Sequence, residues 1–340
     1  MHAQQTLRIE IVAAGLLAVI TPSIACGASP ADGRATLEEL SVRFDSLSSK
    51  HGWLVDTVYE YPEDRDLTLR AWRTVHGGKA LWILAGIHGE EPAGPNAIAS
   101  NLASIIELAE SGVPVVVIPL CNPKGYRNNW RYPNTPDRDW RKGGYSVGDA
   151  EYLLPDLETG TKPRAAAAPG PETRALTEFV LRLSKTHPPQ LVLDLHEDEL
   201  STEGGYVYLQ GSRAADHPAV VDVIQQLQSS GIPIRLSGRT RFDEPIVDGV
   251  ISRDDKGAPI RDGSIDELLA SAEIIANGTR VAGPAAPTVL VVETPAFAGS
   301  RFDLRVAAHG AVIRHVAELW RLNSEALEEL LPDADTGAGH

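Results

Sequence analysis

The stretch Leu81–Gly94 reads LWILAGIHGEEPAG. Its apolar run, Leu81 to Ala85, is too short for a helix and reads as a buried strand. The run stops at Gly86, and a polar knot of His88, Gly89, Glu90 and Glu91 follows. Pro92 then stands where a first helical turn accepts proline, ahead of the helix-like run Gly94–Glu110. His88 and Glu91 therefore sit at the carboxyl end of a strand, where open α/β sheets hold ligands. An imidazole and a carboxylate three residues apart on one tight turn can both reach one metal ion. A catalytic zinc site of the His/Glu/His type needs one further protein ligand. Many HxxE sequences are only polar loops, so a third ligand has to be found elsewhere.

Around this stretch the chain alternates strands and helices. Ala35–His51 has helical spacing, and Trp53–Tyr61 with Leu67–Val75 reads as a hairpin. Val113–Leu120 is a second buried strand. Gly125–Thr161 has no periodicity, and loops of such length inside compact domains usually serve function. Ala165–Pro171 is a flexible break, and Glu172–Thr186 is an amphipathic helix ended by His187-Pro188-Pro189. Leu191–Leu195, Tyr206–Gln210 and Thr288–Val292 are strands, and Ile232–Leu236 is a further candidate. His217–Ser230 reads as a helix and Phe242–Gly263 as irregular. Ser264–Asn277 is predicted helical, with Ser264 and Glu267 forming a capping box. The last helix spans about Leu304–Leu331. The order describes one α/β domain, residues 35–331, with a mostly parallel or mixed sheet.

Two more strand ends carry chemistry. LVLDL runs into His196, with Asp194 on the same side of the strand and placed to orient the imidazole. TVLVV runs into Glu293, a carboxylate that could act as a base beside a His88/Glu91/His196 metal set.

These residues, in GIHGEEPAG, LDLHEDE and VLVVETPA, resemble those of the zinc metallocarboxypeptidase family over roughly Ala35 to Ala317. HGEEPAG is most similar to bacterial members that trim cell-wall peptides, and to the related succinylglutamate desuccinylase and aspartoacylase branch. The resemblance implies a mixed, largely parallel twisted sheet with helices on both faces. It also implies one zinc ion held by His88, Glu91 and His196, with Glu293 moving the proton of a zinc-acidified water. Family members stabilise the oxyanion with an arginine, for which Arg131 in NNWRYP is the match. Their Asn-Arg carboxylate clamp aligns with Asp137 and Arg138, Asp137 replacing the asparagine; Arg141 and Arg127 compete for the role. The capping tyrosine before the GSID-like Gly263–Asp266 is missing, unless Tyr206 or Tyr208 supplies it. The expected substrate is a short peptide, a cell-wall stem peptide or an N-acyl amino acid. A secreted binding protein without catalysis is the rival reading from another class.

Composition sets outer bounds. The 340 residues suffice for a substantial core. A formal net charge of −15 lacks the basic footprint of a nucleic-acid partner. Ile11–Ile20 has signal-peptide rather than membrane-spanning length, and Ser23-Ile24-Ala25 suits cleavage. Residues 1–25 thus read as a signal peptide and 26–34 as a linker, implying a periplasmic or secreted protein with a lipid anchor conceivable at Cys26. Residues 332–340 form a polar tail. Cys121 follows a buried strand and is expected to pack as a small hydrophobe. Gly144–Gly148 matches G-x-S-x-G but lacks the strand and helix that a nucleophile elbow needs. His51, His76, His187, His217, His309 and His315 have no paired ligands and read as surface or helix residues.

Overall fold

The computed structural model describes residues 32–201, 203–297 and 300–328. The signal-peptide and lipid-anchor expectations on residues 1–31, and the tail beyond residue 328, lie outside them.

The chain opens with α1 (Leu37–His51), which Thr36 and Glu39 close in a reciprocal capping box and which Gly52 ends in the left-handed region, φ 69°. The hairpin β1 (Leu54–Glu60) and β2 (Thr68–Arg73) leads to β3 (Ala80–Ala85). The predicted helix after the His88 turn is two helices, α2 (Ala93–Ser100) and α3 (Leu102–Glu110). They break at Asn101, whose backbone (φ −125°, ψ 24°) leaves the helical region. Then come β4 (Val115–Ile118), α4 (Pro123–Asn128), α5 (Pro171–Leu183), β5 (Pro189–Asp198), β6 (Tyr206–Gly211) and α6 (Pro218–Ser229). Short strands β7 (Ser237–Arg239), β8 (Pro245–Val247) and β9 (Val250–Ile251) occupy the region read as irregular. Ile232–Leu236 forms no strand; it offers a single bridge, from Ile234 to Gly205.

The capping box at Ser264 starts α7 (Ile265–Ala270), but the helix ends there rather than at Asn277. A hairpin follows, β10 (Glu273–Ala276) and β11 (Thr279–Ala282), turning through Asn277 and Gly278 at positive φ. The β-branched pair Ile274-Ile275 before an Asn-Gly turn favours that hairpin over continued helix. After β12 (Thr288–Pro295), the final helix is α8 (Phe302–Arg314) and α9 (Val316–Glu328), interrupted at His315.

The main sheet runs β1-β2-β4-β3-β5-β12-β6-β9-β8-β7. Its centre, β4-β3-β5-β12, is parallel, and most flanking pairs are antiparallel. Side chains alternate faces along each strand. Leu81, Ile83 and Ala85 pack with α1, α2, α3, α6, α8 and α9. Ala80, Trp82 and Leu84 pack with α5 and α7 on the other face. Both faces are covered, so the central strands carry near-continuous apolar runs rather than alternating, broken in β5 by the buried Asp194.

Arg34, read as linker, is buried. Its guanidinium donates to Gly89 O at 3.2 Å, Tyr126 O at 3.0 Å and Asn129 Oδ1 at 2.7 Å. His187 and His217 are buried as well, not surface residues: Nε2 of His187 meets Thr74 O at 3.2 Å, and His217 caps α6. Cys121 is a buried free thiol. No helix among the described residues is long and apolar enough to cross a membrane.

Candidate metal centre

Because β3, β5 and β12 are parallel neighbours, their carboxyl ends lie on one edge of the sheet. The register pairs Glu293 with His196 directly. β3 ends earlier, and the turn after it carries His88 and Glu91 across to the same place. Gly86 allows that turn with φ 64°. Gly89 is needed for a different reason, close approach: a Cβ there would lie 2.0 Å from Gly125 C and 2.2 Å from Tyr126 N. Since both obstacles are backbone, Gly89→Ala is expected to lower the unfolding free energy by about 3 kcal/mol, measured by urea titration.

His88, Glu91 and His196 offer ligand atoms that all lie within 4.8 Å of one another. Nδ1 of His88 is 2.7 Å from Glu91 Oε1, and Nδ1 of His196 is 2.9 Å from Oε2. Two imidazole nitrogens and a carboxylate are a donor set suited to zinc. Nε2 of His196 lies 3.2 Å from Asp194 Oδ2, off the line of a good hydrogen bond but close enough to hold the ring by charge. Asp194, His196 and the buried Asp266 form a second close group. It shares the His196 ring with the first and supports it from behind.

The electrostatics follow from this crowding. Burial, then the Arg131 charge, hold His88 below the ordinary imidazole value, which keeps it neutral for ligation. Burial would raise Glu91, but His88 and His196 outweigh it and hold the carboxyl well below the usual range. For His196, burial is overcome by Asp194 and Glu91, which push it well up. Burial pushes Glu293 up to about 8, with Glu91 and Asp198 adding to the shift and His196 opposing it. Its Oε2 is sealed from solvent and has no hydrogen-bond partner among the described residues.

Arg131 reaches this centre: its Nη1 donates to Glu90 Oε1 at 2.9 Å and Glu91 Oε1 at 3.0 Å. The other loop residues lie differently. Arg138 pairs with Glu199, and Arg141 is largely exposed and pairs with Asp139. Asp137 pairs with Lys142 at 2.8 Å, and Arg127 pairs with Asp64 away from the centre. Tyr206 and Tyr208 line the same cleft, their hydroxyls donating to Asp198 and Glu244. Ser146 of the G-x-S-x-G match sits in a loop without a preceding strand. The cleft measures about 1260 Å³, above the range of drug-sized pockets, and can admit a peptide segment.

Sequence reasoning missed two supports. Asp266 is 5% exposed and was visible only as part of the GSID-like segment. Glu197 is buried beside His196, accepts the Ala93 N–H at 2.7 Å and pairs with Arg305 of α8. Arg305→Ala leaves that carboxylate unpaired, so a loss of about 3 kcal/mol in unfolding free energy is expected in denaturant titration.

This layered sheet, with its candidate metal ligands at the carboxyl edge, is the α/β fold of carboxypeptidase A. Solved structures with this fold include proteins described as metallopeptidases and carboxypeptidases. A Shewanella baltica protein assigned as a metallopeptidase superposes with a TM-score of 0.62 at 22% identity, over 82% of this chain and 91% of its own. One from Shewanella amazonensis gives 0.63 at 23%, over 82% and 92%. The carboxypeptidase A of Helicoverpa armigera gives 0.58 at 14%, over 87% and 75%. No family model and no curated protein sequence matches the chain.

Proposed function

We propose that the chain is a zinc-dependent hydrolase of amide or peptide bonds, of metallocarboxypeptidase type. The observation that carries this reading is the convergence of His88, Glu91, His196 and Glu293 from three adjacent strand ends. Zinc held by His88, Glu91 and His196 would act as a Lewis acid and acidify water. Glu293, with a free Oε2, takes the proton of the attacking water and delivers it to the leaving amine. Arg131 uses Nη1 to hold Glu90 and Glu91, and its remaining guanidinium edge faces the charge that develops on the carbonyl oxygen. Short peptides, including cell-wall stem peptides, fit the cleft volume and the export reading of residues 1–25. N-acyl amino acid deacylation is the second reading, favoured by the similarity of HGEEPAG to the succinylglutamate desuccinylase and aspartoacylase branch.

Zinc-loaded protein screened against peptides, stem peptides and N-acyl amino acids tests this reading. Release of an amine from at least one panel, abolished by chelator and restored by zinc, is the expected result. Stoichiometric zinc with no amide hydrolysed on any panel would leave the non-catalytic binding protein in its place.

A further inference from the structure

The turn that carries His88 and Glu91 meets α4 at a seam with no room to spare. A Cβ on Gly89 would fall inside the Gly125–Tyr126 peptide, so only hydrogen fits between the two backbones. Nη1 of the buried Arg34 spans this seam, donating to Gly89 O at 3.2 Å and to Tyr126 O at 3.0 Å. No other side chain donates to either oxygen among the described residues. Two carbonyl dipoles turned toward one point repel, and a guanidinium N–H pair placed between them turns that repulsion into attraction.

The same side chain holds the segment that leads to Arg131. Its Nη2 donates to Asn129 Oδ1 at 2.7 Å. Asn129 ends α4 in the left-handed region, φ 56°, a backbone that surrounding contacts must hold. Arg131 follows two residues later and grips Glu90 and Glu91 from the far side. One guanidinium thus touches the carbonyl between His88 and Glu91 and the residue that launches the Arg131 loop.

Arg34 is itself fixed. Asp32 Oδ2 lies 2.7 Å from Nε and 2.5 Å from Nη2, and the Tyr126 ring stands 5.0 Å from the guanidinium carbon. One residue on, the Ala35 N–H donates to Asn96 Oδ1 at 2.9 Å, and Ala35 O accepts from the Tyr126 hydroxyl at 2.8 Å. Asn96 belongs to the start of α2, which follows the metal-ligand turn directly. All three guanidinium nitrogens are engaged, and lysine offers a single point charge in place of that fork.

We propose that Arg34 is a positioning residue of the metal centre: from a strap outside the sheet, it sets the His88–Glu91 turn and the Arg131 segment against each other so that the ligands stand ready for the ion. The proposal rests on the hydrolase reading for its zinc form and on the geometry of the turn alone for its exchange form.

The test compares Arg34→Ala and Arg34→Lys with the unmodified protein and with Arg70→Ala. Arg70 ties α1 to β2 through Asp45, at 2.8 Å, and has no hydrogen bond to the turn, so its variant reports a loss of stability alone. In metal-free protein, amide exchange read by mass spectrometry is expected to quicken about tenfold or more over residues 86–92 and 126–132 of Arg34→Ala, and not in Arg70→Ala. Zinc affinity, measured against a chromophoric chelator, is expected to fall about 10- to 100-fold in both Arg34 variants and to stay within about threefold in Arg70→Ala. Guanidinium chloride at about 20 mM, too dilute to denature, is expected to restore affinity to Arg34→Ala but not to Arg34→Lys, whose side chain fills the seat; sodium chloride controls for ionic strength. If Arg34→Ala does not fold, Arg34→Lys carries both comparisons.

Exchange that is unaltered over the turn, or altered equally in Arg70→Ala, overturns the proposal whether or not the protein binds zinc. Zinc affinity kept in the Arg34 variants, lost equally in Arg70→Ala, or lost in Arg34→Ala without any response to guanidinium, overturns it as well. Absence of zinc from the unmodified protein overturns the hydrolase reading instead, and the exchange comparison then decides by itself whether Arg34 sets the turn.

Discussion

Glu91→Gln is expected to bind zinc at least about 10³-fold more weakly than the unmodified protein and to lose amide hydrolysis with it. Glu91 is the hub of the centre: its two oxygens face Nδ1 of His88 and of His196, at 2.7 and 2.9 Å, and Oε1 also accepts from Arg131. An amide in its place keeps the shape but removes the charge that draws a dication into a buried site. It also exchanges one acceptor for a donor, setting N–H against the Arg131 guanidinium. Metal content after dialysis against a weak chelator measures the effect. Retention of one zinc per chain in Glu91→Gln would show that the metal sits elsewhere. The same centre should link metal to stability. Zinc at about a thousand times its dissociation constant adds about 4 kcal/mol to the folded state, so chelator should lower the Tm of the unmodified protein and leave Glu91→Gln nearly unmoved.

Glu293→Gln is expected to do the reverse: keep its zinc and lose activity by about 10³-fold. Glu293 is outside the three-ligand group but pairs in register with His196, close enough to act on the same water without holding the metal. As the proposed base Glu293 would work only when ionised, so activity should rise with pH through its pKa. Burial holds that value near 8 without a metal, and a bound dication draws it down, so the acid limb is expected below 8. That limb should vanish from the residual activity of Glu293→Gln. The sign for metal-free stability follows from the same shift. A carboxyl whose folded pKa lies above its ordinary 4.5 contributes stability at low pH, lost as pH rises from about 4.5 to about 8. Metal-free unmodified protein should therefore fall in Tm relative to metal-free Glu293→Gln across that window. Parallel Tm curves would show that Glu293 is not buried in its neutral form.

Much of the fold was legible because its central strands are buried on both faces. LWILA, VPVVVI, LVLDL and TVLVV are near-continuous apolar runs, Asp194 being the one charged residue among them, a pattern that parallel sheets under two helix layers produce. The local misreadings share one cause, the dependence of short segments on tertiary partners. Residues 271–277 continue a helical spacing, yet Ser271 ends α7 in extended backbone, and the Asn-Gly turn pairs β10 with β11. Gly94–Glu110 keeps its periodicity through Asn101, but the side chain donates to Ala97 O and accepts from Arg314 of α8, and the helix breaks there. Arg34 lies in a Ser/Pro/Gly-rich stretch, and only the fold brings Gly89 and Tyr126 to it.

The sequence by itself determined the chemistry-bearing residues at strand ends. His88 and Glu91 share one turn, and His196 and Glu293 each stand where the apolar run of a strand stops, although the strands themselves continue to Asp198 and Pro295. Tertiary structure alone decided that these three ends meet, since strand order β3-β5-β12 is set by long-range pairing that no local spacing encodes. It also decided which charges in the aperiodic loop are available. Arg138, Arg141 and Asp137 are committed to Glu199, Asp139 and Lys142. An ion pair depends on where two side chains come to rest in space, and only the folded chain determines that.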